Sequence, residues 1–396
     1  MLDSLYIGLS GLIGYSKGLN NISNNVANLN TPGFKSSQMQ FNDLFYRYQT
    51  SSGDGGNSST YSQGSGVTVG SSTMVLKQGE LRATGNDQDV AIDGNGLFVL
   101  RKDDQVLYTR AGQFEFDADG YLVSRDSKAR VAGLSAAGSL SDINLSGLRS
   151  NPPKVTSSIK MTDSLSTNDA AFDVSNVTVF DSLGASHTLT LHFNNNNAIT
   201  PGSWLVQVKE GNNVIASGEI RFQGSGAPVT GFSSVAFTYT PTNGANPQGV
   251  TLDFSSANSL STAGSSIKIG SQDGLAAGSL TKAVFDAQGY LVLTYSNGQT
   301  LKPSRLALAW FNDMQELEQL GGNMLVNSSG QERQLGGAGD SLFGKAKGGS
   351  IELSNVDLAQ QFSELIITQR GYQASSQIIT ASNEMIQQLF DLRGKR

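Results

Sequence analysis

The chain contains no cysteine, which excludes disulfide staples, thiolate zinc sites and cysteine nucleophiles. Histidine occurs only twice, at His187 and His192. Charged residues make up 15% of the 396, no Lys/Arg-rich run appears and the formal net charge is −6. Such a balance argues against a nucleic-acid surface. No apolar run approaches the ~20 residues that span a bilayer, so membrane insertion is not expected. The opening segment, Met1 to Tyr15, could pass for a signal peptide. Asp3 stands where basic residues belong, however, and the apolar positions are periodic rather than continuous. If the protein leaves the cytoplasm, a route that keeps its N-terminus is expected.

Apolar residues at 38%, with 18 Phe, supply real cores, and the length suits two or three domains. At the N-terminus, Leu2, Leu5, Leu9, Leu12, Ser16, Leu19, Ser23 and Val26 follow alternating steps of three and four, the rhythm of a coiled-coil seam. The pattern stops at Asn30-Thr31-Pro32-Gly33, where Pro-Gly favours a turn. The C-terminus keeps the same rhythm through Leu358, Phe362, Leu365, Gln369, Tyr372, Ser376, Ile379, Asn383, Ile386 and Phe390. Ser354 followed by Asp357 resembles a capping box, and Arg393, Gly394, Lys395 and Arg396 form a basic stop. Seams so rich in Ser, Gln and Asn are weak as isolated pairs. Equivalent helices of other subunits would bury their remaining faces. An antiparallel helix pair closing one domain of a monomer fits the same pattern.

Between the ends the period is two. The hairpin Phe116-Asp117-Ala118-Asp119-Gly120-Tyr121-Leu122-Val123 recurs as Phe285-Asp286-Ala287-Gln288-Gly289-Tyr290-Leu291-Val292. Two copies flanking a long middle segment predict one discontinuous β domain built from both halves of the chain. The middle segment is poor in charge and rich in Ser, Thr, Asn and Gly. Its predicted strands are Val174–Phe180, Thr188–Phe193, Trp204–Lys209, Ile215–Phe222, Val235–Thr240 and Val250–Phe254, a sandwich or barrel. The predicted fold is therefore mainly β with α-helical termini. Residues 1–30 and 355–396 form the helical domain, 31–70 a linker or extended loop, 71–149 and 281–354 the β domain, and 150–280 the inserted outer β domain. Ser51 to Gly66 is Ser/Gly-rich and reads as a flexible loop or linker.

Catalytic chemistry is not evident. His187 and His192 lie five apart on one strand and face opposite ways, so they cannot share a metal there. Asp117-Ala118-Asp119-Gly120 begins like a calcium loop, but Tyr121 and Lys128 stand where oxygen ligands belong. Gly94-Asn95-Gly96 lies between strands and lacks the third glycine of a dinucleotide loop. No Gly-x-Ser-x-Gly elbow frames a serine. No enzyme, cofactor or metal site is expected. A β-rich adhesin or carbohydrate-binding module, with Trp204 or Tyr239 as an exposed platform, is the competing class, but it leaves the helical ends unexplained.

Ala27-Asn28-Leu29-Asn30-Thr31-Pro32-Gly33-Phe34-Lys35 closely resembles the N-terminal signature of bacterial flagellar rod and hook proteins. Ser354-Asn355-Val356-Asp357-Leu358-Ala359, followed by Gln369-Arg370-Gly371-Tyr372-Gln373-Ala374, resembles the matching C-terminal signature, in which Ala is usual at the Gly371 position. Ile92-Asp93-Gly94-Asn95-Gly96 and Tyr108-Thr109-Arg110-Ala111-Gly112-Gln113-Phe114 also resemble that family. The segment from Val177 to Leu191 resembles hook subunits, whereas the distal rod protein, the alternative within the family, is usually much shorter. The resemblance implies a self-assembling structural subunit of the extracellular flagellar hook, a tubular universal joint carrying motor torque from rod to filament. It also implies that the terminal helices pair as an inner coiled coil around the channel. Leu2, Leu5, Leu9, Leu12, Leu19, Val26, Leu358, Phe362, Leu365, Tyr372, Ile379, Ile386 and Phe390 would then face the assembly. Implied partners are further copies of the chain, the hook cap, distal rod and hook–filament junction proteins, and the flagellar type III export apparatus.

Overall fold

The computed structural model describes residues 2–44, 46–52, 58–64, 66–103, 105–135, 137–260 and 264–393. The fold is mainly β, with one long helix at each end: α1, Leu2–Ala27, and α2, Leu358–Arg393. At 1.5 Å per residue they are about 40 and 55 Å long. The basic stop beyond Arg393 lies outside the described residues. The chain divides into two compact units. Unit 1 holds residues 1–146, 283–292 and 302–396; unit 2 holds 147–282 and 293–301.

In unit 1 the strand Leu97–Lys102 is central. It pairs with Gln105–Thr109, with Arg130–Leu134 and, through Leu97 and Phe98, with Leu308–Phe311 from the other half of the chain. Leu97, Val99, Tyr108, Ala132, Ala309 and Phe311 form its core, with Tyr108 edge-on to Phe311 at 4.8 Å. The two copies of the repeated hairpin fold alike. In each, the Asp side chain accepts from the Tyr amide: Asp117 from Tyr121 at 2.7 Å and Asp286 from Tyr290 at 2.9 Å. Gly120 and Gly289 take φ of 85° and 77°, where a side chain is strained. An arginine covers each tyrosine ring, Arg130 over Tyr121 and Arg305 over Tyr290.

The predicted linker requires a correction. Residues 31–70 are largely a β-ribbon: Ser37–Asp43 pairs with Val67–Met74, and Tyr46–Ser52 with Ser58–Gly64. Leu44 N–H to Gly66 O, 2.8 Å, joins the two stretches. Ser and Gly composition suggested a coil, but ladder pairing uses backbone groups and needs no apolar side chain. The ribbon lies along α1, where Gly14 and Gly18 admit the Phe41 ring.

Unit 2 packs two four-stranded sheets face to face. One is antiparallel, through Ala171–Phe180, Ser186–Asn195, Ser203–Glu210 and Asn213–Arg221. In the other, Ser158–Ser166 and Gln248–Leu260 run parallel. Val177, Val179, Leu189, Leu191, Phe193, Val206, Val208, Leu252 and Phe254 fill the space between. Trp204 and Tyr239 belong to this core, at 2% and 1% exposure, so neither is the exposed platform considered above. Trp204 donates to the buried Ser259 Oγ and Tyr239 to the half-buried Glu210 Oε1, the hydrogen-bond partners that such buried rings require.

Candidate assembly surface and its root

The terminal helices pack against each other antiparallel, through small and polar residues. Gln361, Thr368, Ser375 and Ser382, seven apart, are the buried positions of α2. The first three meet Asn25, Gly18 and Gly11 of α1, also seven apart. A Cβ added at Gly11 would lie 2.8 Å from Ser375 Oγ, one at Gly18 3.2 Å from Thr368 Cγ2, and one at Gly8 2.9 Å from Ile379. At Gly371 it would lie 2.5 Å from the Tyr15 ring. The helices are thus close because glycines and hydroxyl residues let them be.

The large apolar side chains lie elsewhere. Of the predicted seam, Leu5, Leu12, Leu19, Val26, Leu365, Ile379 and Ile386 are half-buried, flanking the glycine contact. Leu9, Leu358, Phe362, Tyr372 and Phe390 are exposed. The side chain of Leu2 lies outside the described residues. Residues not predicted join the exposed set: Tyr6 at 69%, Ile13, Ile366, Ile367 at 68%, Ile378, Met385 and Leu389.

At the root of the pair lies a buried polar knot. Glu352, 1% exposed, accepts from Lys35 Nζ at 2.6 Å, from Arg110 Nε, and from Gly79 N–H at 2.9 Å. Arg110 also donates to the carbonyls of Ile92, Gly94 and Gly96. Burial pushes the Glu352 carboxyl up, but Arg110 and Lys35 more than offset this and hold it below its ordinary range. Lys35 is pushed down by burial, against the pull of Glu352. Gly33, at φ 72°, donates to Glu352 O and sits against the Ala111 backbone with no room for a Cβ.

The signature residues converge partly on this knot. Asn355 accepts from Ser36 N–H at 2.7 Å and donates to Val75 O and Lys77 O. Asn28 and Thr31 bond each other across the end of α1. Phe34 lines a 240 Å³ cleft alongside, and Val356 is buried. The capping box needs correcting: Asp357 itself is the N-cap, accepting from Ala359 and Gln360 N–H, while Ser354 Oγ receives Val356 N–H. The helix starts at Leu358, so Asp357 is one step outside it and not in its first turn. Asn30, Gln369 and Arg370 stand in the exposed surface and are not drawn into the knot. Sequence reasoning gave no role to Glu352, Asn25 or Gln361; a lone carboxylate between Ile351 and Leu353 was the available signal.

Both histidines serve neighbouring carboxylates. His187 Nε2 meets the buried Asp181 at 2.8 Å, and His192 Nδ1 meets Asp173. Burial pushes Asp181 up, but His187, Asn243 and two backbone N–H groups hold it well below the ordinary carboxylate range. Among the described residues no group of three or more His, Asp or Glu side chains is placed to hold a metal. Nor is any described helix long and apolar enough to cross a membrane.

Glycine-tight helices rooted in a β unit, with large apolar side chains exposed on their outer faces, define a β-rich chain that carries an uncovered helical surface. Four family models match in chain order: "Flagella basal body rod protein" over 5–35, "Flagellar hook protein FlgE/F/G D1 domain" over 91–147, "Flagellar basal body protein FlaE D2 domain" over 148–275, and "Flagellar basal body rod FlgEFG protein C-terminal" over 347–392. The flagellar hook protein FlgE of Escherichia coli K12 is 30% identical across 97% of this chain and 98% of its own. That of Treponema pallidum is 29% identical across 99% and 100%. A crystal structure of Helicobacter pylori flagellar hook protein FlgE2 aligns with a TM-score of 0.48 at 14% identity, covering 67% of this chain and 99% of that one. The chain belongs to the flagellar hook protein FlgE family. Its role is that of a hook subunit in the bacterial flagellum.

Proposed function

We propose that the outward apolar side chains of α1 and α2 are the contacts through which copies of this chain polymerise into the hook. The supporting observation is the division of labour between faces. Small and polar residues hold the two helices together, while Tyr6, Leu9, Ile13, Phe362, Ile367 and Phe390 remain exposed. Burying each such side chain is worth about 1.5–3 kcal/mol, and only neighbouring copies offer that burial at every subunit. Unit 2, with short polar side chains and few charges, supplies weaker contacts that exchange as the tube bends. The chain is structural and performs no reaction. By family likeness it keeps its N-terminus through the flagellar type III export apparatus and meets the hook cap, distal rod and hook–filament junction proteins.

The test is assembly of surface variants. Leu9→Ser and Phe390→Ser should leave monomer stability within about 0.5 kcal/mol, since both sites are exposed. Their critical concentration for polymerisation, measured by sedimentation and electron microscopy, should rise on the order of 10- to 100-fold. Tubes forming at the wild-type concentration would overturn the assignment of this surface.

A further inference from the structure

Both chain connections between the helices and the β part of unit 1 pass through the polar knot. The exit of α1 contributes Gly33, Lys35, Ser36 and Ser37; the entry to α2 contributes Glu352 and Asn355. Arg110 ties Glu352 to the turn carrying Gly94 and Gly96. Lys35 Nζ and Asn355 Nδ2 share the Lys77 carbonyl. On the helical side, Asn25 binds both Ser37 backbone groups and donates to Gln361 of α2 at 3.0 Å. A hydrogen-bonded path therefore runs from α2 through α1 and both connections into the sheet.

The chemistry of this junction is not what stability alone would select. A buried ion cluster is commonly no more stabilising than an apolar cluster of similar volume. It differs in being directional: a carboxylate with three donors and a guanidinium with four acceptors fit one orientation, whereas apolar contacts slide with little loss. Two cations against one buried carboxylate also leave each cation dependent on backbone carbonyls, Lys35 on that of Lys77 and Arg110 on those of Ile92, Gly94 and Gly96.

We propose that Glu352, with Lys35 and Arg110, is a locking joint that fixes the direction in which the helix pair leaves the β part of unit 1, so that turning force passes between them without a swivel. The load depends on the hook reading; the lock does not, and it is testable in the monomer. Because the chain lacks cysteine, Asn20→Cys on α1 and Asp126→Cys in the β part give a unique spin-label pair in the full-length protein. Pulsed electron–electron distance measurement should return one narrow distribution for the otherwise wild-type chain. Glu352→Gln should broaden or shift it while circular dichroism stays native. Should that variant fail to fold, the apolar replacement Lys35→Met, Arg110→Met, Glu352→Leu keeps the volume filled and should fold with a broad distribution. A distribution as narrow and as centred as wild type in either folded variant would overturn the lock. That outcome would leave the hook assignment standing, because assembly is read separately by microscopy.

Discussion

Glu352 shows how one side chain can matter more than its surroundings suggest. Its strand, Ser350–Glu352, is buried at every position, and a lone charge there would be untenable. Lys35 and Arg110 make it tolerable, and each cation in turn needs Glu352. Removing the carboxylate leaves the buried Arg110 and the half-buried Lys35 with backbone carbonyls but no counter-charge, and Glu352→Gln should cost roughly 3–5 kcal/mol of unit 1 stability in urea unfolding. The pH dependence has a definite sign. Glu352 titrates lower in the folded chain than in the unfolded one, so its stabilisation is present above the ordinary carboxylate range and fades as pH falls through the folded value. Lys35 is also depressed, so the unfolded chain holds the extra proton and stability from this site rises as pH climbs toward the ordinary lysine range. Glu352→Gln should accordingly flatten the acid limb of unit 1 unfolding. An acid limb unchanged by that substitution would contradict the assignment of Glu352 as its source.

At the scale of elements, the Gly371–Tyr15 contact sets two rules against each other. Alanine in a helix interior is favoured over glycine by about 1 kcal/mol. Here the added Cβ would meet the Tyr15 ring at 2.5 Å, and overpacking costs about 1–3 kcal/mol. Gly371→Ala should therefore destabilise the helix pair in the wild-type background and become neutral or stabilising beside Tyr15→Leu. A double-mutant cycle should give a coupling of about 1 kcal/mol or more; simple additivity would sink the account. The same contact explains what sequence reading could and could not see. Steps of three and four located both helices, because leucines at Leu5, Leu12 and Leu19 report the period. They did not report the inner face, because a hydrophobic pattern marks residues that seek burial without saying which molecule provides it. Gly11, Gly18 and Asn25 opposite Ser375, Thr368 and Gln361, in steps of seven, carried that information in residues no hydrophobicity argument counts. The ribbon at Ser37–Met74 was hidden for a related reason: its pairing is a backbone property and its composition is that of a loop. The strands of unit 2 were legible because one face of each is buried, which forces alternation.

For the whole molecule, two compact units imply two cooperative transitions, and Glu352→Gln should lower only the one belonging to unit 1 in calorimetry. The division of the chain also dictates how unit 2 can be removed. Cutting out residues 147–282 alone leaves 293–301 behind. In that remnant Leu293 and Tyr295 are buried at 0% and 3%, and Tyr295 Oη donates to Leu148 O at 2.9 Å. Deprived of their unit, these side chains would be exposed, and the product should aggregate. Replacing 293–301 with a short glycine-rich turn as well removes the liability while keeping 283–292, whose Phe285 is buried and whose Ala287 carbonyl accepts from Ala346 in unit 1. That second chain should be a soluble monomer that still polymerises, because every proposed helix contact remains. If unit 2 supplies the exchangeable contacts of bending, its tubes should be straight under the electron microscope. Tubes of normal curvature would place the source of bending in unit 1.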